Sequence, residues 1–176
     1  MGLIKKKICL LGAFAVGKTS LTERFVNGRF EEKYLTTVGV KISQKIMPPV
    51  QDPGDGRMVQ HAFLIWDIAG LEKFDHVADN YFRGASGALT VADLTRPETI
   101  EELERFGARF RSVNPEAKLI LIGNKADIFD GDRGILGRLK RLSRECGTVC
   151  LLTSAKSGAG VEEAFLELSR GIEGFS

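Results

Sequence analysis

The run Gly12-Ala13-Phe14-Ala15-Val16-Gly17-Lys18-Thr19 has the residue types and spacing of a phosphate-binding loop, G-x-x-x-x-G-K-[ST]. Its glycines let the backbone bend around an anion where a Cβ would collide. Backbone N–H groups from Phe14 through Ser20 then face the phosphates, with the dipole of a following helix behind them. Lys18 supplies a cation for the outer phosphates, and the Thr19 hydroxyl suits Mg²⁺. The flanks fit this use. Ile8-Cys9-Leu10-Leu11 before the loop reads as a buried strand, and Leu21 and Phe25 after it share a helix face.

Three later stretches add chemistry. Asp67-Ile68-Ala69-Gly70 follows the apolar run Phe63–Trp66, so its carboxylate sits at a strand's carboxyl end, where it suits Mg²⁺ through a water. The small Gly70 lets an N–H approach a terminal phosphate closely. Asn124-Lys125-Ala126-Asp127 follows Leu119–Ile122. Guanine presents an N1–H and an amino group side by side, which a carboxylate accepts as a bidentate pair, and adenine does not. Asp127 therefore selects guanine, Asn124 bonds the ring or ties neighbouring loops together, and the Lys125 stem covers the base. Ser154-Ala155-Lys156 offers a backbone N–H to the guanine oxygen.

These loops need a scaffold that brings them to one edge. Apolar runs alternate with helix-period segments, the pattern of an α/β fold with a largely parallel sheet. Ala88–Ala92, Leu119–Ile122 and Thr148–Leu152 read as buried strands. Val40, Ile42 and Ile46 alternate with Lys41, Ser43 and Lys45, a half-exposed strand that a turn-rich tip, residues 48–56, joins to the Ala62–Trp66 strand. That hairpin makes one antiparallel edge. Pro97, then Ile100, Leu103, Phe106, Phe110 and Val113, mark one helix, which Pro115 helps to stop. Ile135, Leu139, Leu142 and Cys146 mark the next, ended by Gly147, and Val161, Ala164, Phe165, Leu168 and Ile172 the last.

The 176 residues suffice for one domain, 1–176, and the 43% apolar and 27% charged fractions are those of a globular chain. A net charge of +2 gives no argument for nucleic acid. Cys9, Cys146 and Cys150 are too few and scattered for a disulfide framework, which points to a reducing, cytoplasmic setting. No run reaches the length of a membrane span, and no lipid-anchor motif is readable in the chain as it stands.

The ordered set Gly12-x4-Gly17-Lys18-Thr19, Thr37, Asp67-Ile68-Ala69-Gly70, Asn124-Lys125-Ala126-Asp127 and Ser154-Ala155-Lys156 resembles a Ras-superfamily small GTPase over nearly the whole chain. Tyr34-Leu35-Thr36-Thr37-Val38-Gly39-Val40, Tyr81-Phe82-Arg83-Gly84-Ala85 and Ser154-Ala155-Lys156-Ser157-Gly158 resemble its Rab branch. The resemblance implies a P-loop three-layer α/β fold, a mixed six-stranded sheet with one antiparallel edge strand and about five helices. It also implies a monomeric GTP/GDP switch with Mg²⁺, in which Lys18, Thr37 and Gly70 serve catalysis and Thr37 gives Mg²⁺ a second hydroxyl. Phe30 would pack on the base. Residues 29–40 and 69–83 would be the switches, meeting effectors and the exchange and activating factors.

The chain departs from that pattern in three places. Leu71 stands where the family has a glutamine that orients the attacking water, and leucine has no group to do so. Slow hydrolysis follows, or in the limit a GTP-locked scaffold for effectors; Glu72 is a weak substitute. Phe14 stands at a usually small position and would obstruct a partner's arginine finger. The 48–56 tip is longer than the family's. A P-loop kinase is the remaining alternative, and Asn124 with Asp127 argues against it. Arg133, Arg138, Lys140, Arg141 and Arg144 read as a solvated helix face, and His61 and His76 as structural.

Overall fold

A computed structural model describes residues 2–33, 36–52, 54–69 and 77–173. The elements run β1 (Gly2–Leu11), α1 (Lys18–Asn27), β2 (Val40–Ile46), β3 (Val50–Gln51), β4 (Met58–Ile68), α2 (Ala78–Phe82), β5 (Gly87–Asp93), α3 (Glu98–Val113), β6 (Lys118–Asn124), α4 (Arg133–Glu145), β7 (Cys150–Leu152) and α5 (Val161–Glu173). The sheet order is β2-β4-β1-β5-β6-β7, with β3 paired to β4. β4, β1, β5, β6 and β7 run parallel, while β2 and β3 are antiparallel to β4.

All seven residues of β5 are buried, as expected for a central strand covered on both faces. One face of the sheet packs Ile8, Leu10, Phe63, Ile65, Leu89 and Val91 under Leu21 and Phe25 of α1 and Phe165 and Leu168 of α5. The Phe25 and Phe165 rings stack at 3.8 Å, an arrangement worth about 0.5–1.5 kcal/mol beyond its buried area. The other face packs Cys9, Leu11, Ala88 and Leu121 under Phe82 of α2, Leu103, Phe106 and Phe110 of α3, and Leu139 and Leu142 of α4. The three layers and the antiparallel edge match the fold expected from the sequence.

Three details differ from the sequence reading. β3 is an added seventh strand: within the turn-rich tip, Val50 and Gln51 pair with Val59 and Met58, so the insertion lengthens the hairpin as ordered sheet. Asp52 accepts from Gly54 N and Asp55 from Arg57 N, the local turn bonds that close it. The last strand starts at Cys150, because the Thr148 backbone N–H is bonded to the Ser143 carbonyl and its hydroxyl takes the Leu119 carbonyl. In β2 two apolar side chains face outward: Ile42 and Ile46 are exposed, while Val40, Ser43 and Lys45 are half-buried. On the lysine face, α1 engages both lysines. Lys41 pairs with Glu23, and the Lys45 ammonium lies over the Phe25 ring and donates to the Val26 carbonyl.

Candidate nucleotide site

Because five strands are parallel, the loops that follow them emerge at one edge of the sheet, where open α/β folds hold ligands. The loop after β1 enters α1 through two residues in left-handed backbone, Ala15 at φ 61° and Gly17 at φ 102°. Gly17 caps α1 with no side-chain bond, leaving the helix's first N–H groups for a ligand. A Cβ on Gly17 would lie 2.3 Å from Asn124 Nδ2, and one on Gly12 would lie 2.2 Å from the Val91 carbonyl oxygen. Glycine is required at both positions. Lys18 is buried and its Nζ donates to the Gly12 and Ala13 carbonyls, each at 2.8 Å, so the ammonium lies within the loop's own curve.

Three oxygens meet at the foot of α1. Thr19 donates to Asp67 Oδ2 at 2.5 Å, and Thr37 Oγ1 lies 2.7 Å from Thr19 Oγ1. With the one Thr19 proton directed to the carboxylate, the Thr37 hydroxyl is the donor to Thr19. Asp67 is almost wholly buried and its Oδ1 has no hydrogen-bond partner among the described residues. Burial pushes the Asp67 carboxyl up, opposed by the Thr19 bond and by the charges of Lys18 and Lys41. An orphaned, desolvated carboxylate oxygen beside two hydroxyls is a donor set that fits a hard divalent cation.

The loop after β6 is built as a junction. Asn124 is buried; its Nδ2 donates to the Val16 carbonyl at 3.0 Å, and its Oδ1 accepts from Thr153 Oγ1 at 3.0 Å and Ala155 N at 3.3 Å. Asn124 thus ties loops together, the second of its two expected roles, and the Ala155 N–H is engaged with it. Lys125, at φ 64°, pairs with Asp93 at 2.6 Å, which holds that carboxyl below the usual range against the effect of its burial. Asp127 accepts from Ser154 Oγ at 2.6 Å.

These groups line one cleft. A cavity of about 710 Å³ is bounded by Ala15, Gly17, Thr19, Ser20, Phe30, Thr37, Asn124, Lys125, Asp127, Ala155 and Lys156. A pocket of about 40 Å³ adjoins it through Ala15, Gly17, Thr19, Ser20 and Thr37, adding Phe14, Lys18 and Asp67. Val16 and Ser154 are buried behind the walls and act through their bonds to Asn124 and Asp127. Gly70, Leu71, Glu72 and His76 lie outside the described residues, as do Tyr34 and Leu35.

A model of the Ras family matches residues 7–174. The chain belongs to that family. Among its relatives, Ras-related protein Rab-31 of Mus musculus is 34% identical over 173 residues, covering 98% of this chain and 85% of the relative. Ras-related protein Rab-22A of the same organism is 34% identical with 98% and 86% covered, and Ras-related protein Rab-4 of Dictyostelium discoideum is 34% identical with 94% and 78% covered. These matches put this small GTPase on the Rab branch, and with it come the general properties of a GTP-binding molecular switch and hydrolase. Ras-family GTPases bind GTP and GDP, typically with Mg²⁺.

The sequence does not announce three residues of this GTPase's site. Arg24 donates from α1 to the carbonyls of Ala155, Lys156 and Gly28, bracing the base-side loop. Arg96 donates to the Phe14 carbonyl at 2.9 Å. Lys41 lines the same cavity as Thr19 and Thr37. None of the three belongs to a nucleotide-binding motif, and only the pairing of distant elements reveals them. Phe14 itself is about half exposed (47%). Among the described residues no helix is long and apolar enough to cross a membrane.

Proposed function

We propose that this chain, as one G domain over residues 1–176, is a guanine-nucleotide switch that hydrolyses GTP slowly. The observation that carries the reading is the single cleft in which the phosphate loop, the Thr19–Thr37–Asp67 oxygens and the Asp127 carboxylate converge. The loop N–H groups from Phe14 to Ser20 and the Lys18 ammonium hold the phosphates. Asp127, fixed by Ser154, accepts from the guanine edge, and Phe30 and the Lys125 stem flank the base. Lys156 bounds the base end of the same cleft. Thr19 and Thr37 would hold Mg²⁺, with Asp67 contributing through a water, and the ion would supply positive charge beside the phosphates. Thr37 and Gly70 read the terminal phosphate, which orders residues 29–40 and 69–83 for effectors and for exchange and activating factors. The protein works as a cytoplasmic monomer that meets membranes through a partner or through a tail outside this sequence.

Hydrolysis is slow because Leu71 supplies neither donor nor acceptor to the attacking water. In a single-turnover assay of the purified protein loaded with GTP, Leu71→Gln raises the rate; an unchanged or lower rate contradicts the assignment. A GTP-locked effector scaffold is the second reading. It is favoured by the exposed Phe14 ring on the phosphate loop, which obstructs an activating arginine from a partner.

A further inference from the structure

Lys41 stands directly opposite Asp67 in the antiparallel pairing of β2 with β4. Residues so opposed project to the same face with Cβ atoms about 4.5–5.5 Å apart. The Lys41 ammonium is held instead by Glu23 of α1, Nζ to Oε1 at 2.5 Å, and Glu23 is steadied by Asn27 Nδ2 at 2.7 Å. Lys41 and Glu23 both line the cavity that contains Thr19 and Thr37. Asp67 Oδ1, buried and without a hydrogen-bond partner among the described residues, lies on the same face. One cation of the chain is thus stationed beside the oxygens suited to a divalent cation, with a surface carboxylate as its alternative partner. Turning the flexible lysine stem exchanges Glu23 for Asp67.

We propose that Lys41 is a resident competitor for the magnesium position, parked on Glu23 and released toward Asp67, so that the chain holds Mg²⁺ weakly and loses nucleotide readily when Mg²⁺ is scarce. The inference rests on the guanine-nucleotide reading of the cleft and names a regulation of that site. Two like charges within a few ångströms at a half-exposed position repel enough to move a metal midpoint roughly tenfold. Glu23 tempers this by neutralising the ammonium, and salt weakens it further.

The test follows release of fluorescent mant-GDP from the full chain as Mg²⁺ is stepped from micromolar to millimolar. Lys41→Ser and Lys41→Gln should each lower the Mg²⁺ midpoint for retention by about tenfold. Glu23→Gln should raise it, and by a larger factor in the wild type than in the Lys41→Ser background. Lys45→Ser, on the same strand face but engaged with Phe25 and Val26, should leave it unchanged. A midpoint for both Lys41 variants within twofold of the wild type, with mant-GDP still bound, overturns the role of Lys41 alone. An equal shift from Lys45→Ser overturns it as well. Failure of every variant and the wild type to bind mant-GDP overturns the nucleotide reading together with it.

Discussion

Asn124 Nδ2 donates to the Val16 carbonyl at 3.0 Å, joining the phosphate loop to the base-side loop across 108 residues of chain. The same amide's oxygen accepts from Thr153 and Ala155, so one buried side chain fixes three loops. Asn124→Ala leaves the Val16 carbonyl and the Thr153 hydroxyl without this partner. The expected cost is about 1–3 kcal/mol for the stranded groups, read as a lower urea midpoint, together with faster loss of bound nucleotide. Retention of wild-type nucleotide affinity would separate the bracing role from binding.

Asp67 carries a conflict between the empty and the loaded protein. Its carboxyl is pushed up by burial, so the folded chain holds that proton more tightly than the unfolded chain does. The ionised form therefore costs stability above the ordinary carboxylate range, and the cost is lost as pH falls through the raised value. Asp67→Asn should raise the melting temperature of nucleotide-free, metal-free protein by about 2–4 °C, the equivalent of about 1 kcal/mol in a chain of this size. The same variant should lose the stabilisation that Mg²⁺ gives to nucleotide-loaded protein. Melting curves with and without Mg²⁺ check both halves.

His61 of β4 is buried, and its Nε2 lies 3.0 Å from Glu173 Oε1 at the end of α5, with Lys6 at 3.8 Å from the same oxygen. Burial lowers its pKa; Glu173 opposes the shift and Lys6 adds to it. A base depressed on folding is protonated first in the unfolded chain. Stability is therefore full above the unfolded value, about 6.5, and is lost as pH falls from there toward the depressed folded value. The urea midpoint should drop between pH 7.5 and pH 5.5, and the drop should shrink in His61→Gln. An equal drop in both proteins would assign the acid sensitivity elsewhere.

Phe14 projects from the loop that a partner's arginine must approach, and its carbonyl is already occupied by Arg96. An arginine finger elsewhere is worth about 10³–10⁵ in rate; here the expected acceleration by an arginine-finger activating protein is below about tenfold, and Phe14→Gly should enlarge it. Single-turnover hydrolysis with and without the activator measures this. A large acceleration unaffected by Phe14→Gly would contradict the obstruction.

The phosphate loop, the aspartate at the carboxyl end of β4 and the Asn124–Asp127 run were legible because each is a short motif whose backbone chemistry tolerates few alternatives. The helices were legible because α3 and α5 keep an unbroken apolar stripe: Ile100, Leu103, Phe106 and Phe110 are buried as their spacing requires, and so are Val161, Ala164, Phe165 and Leu168. The sidedness of β2 was not legible. Alternation gives the period of a strand and leaves open which face is covered; Phe25 of α1 half-buries Lys45, while Lys41 pairs with Glu23 at the surface. Arg24, Arg96 and Lys41 escaped for a related reason: a charged residue outside any motif becomes specific only through the carbonyl or carboxylate that the fold brings to it.

The central claim is that this cleft holds a guanine nucleotide, selected by Asp127 and retained because Leu71 does not help water attack it. Nucleotide released by denaturing the freshly purified protein and resolved by chromatography tests that directly. The account predicts guanine nucleotide at about one per chain, with a larger GTP fraction than in Leu71→Gln prepared in parallel. Adenine nucleotide, or none, would contradict it.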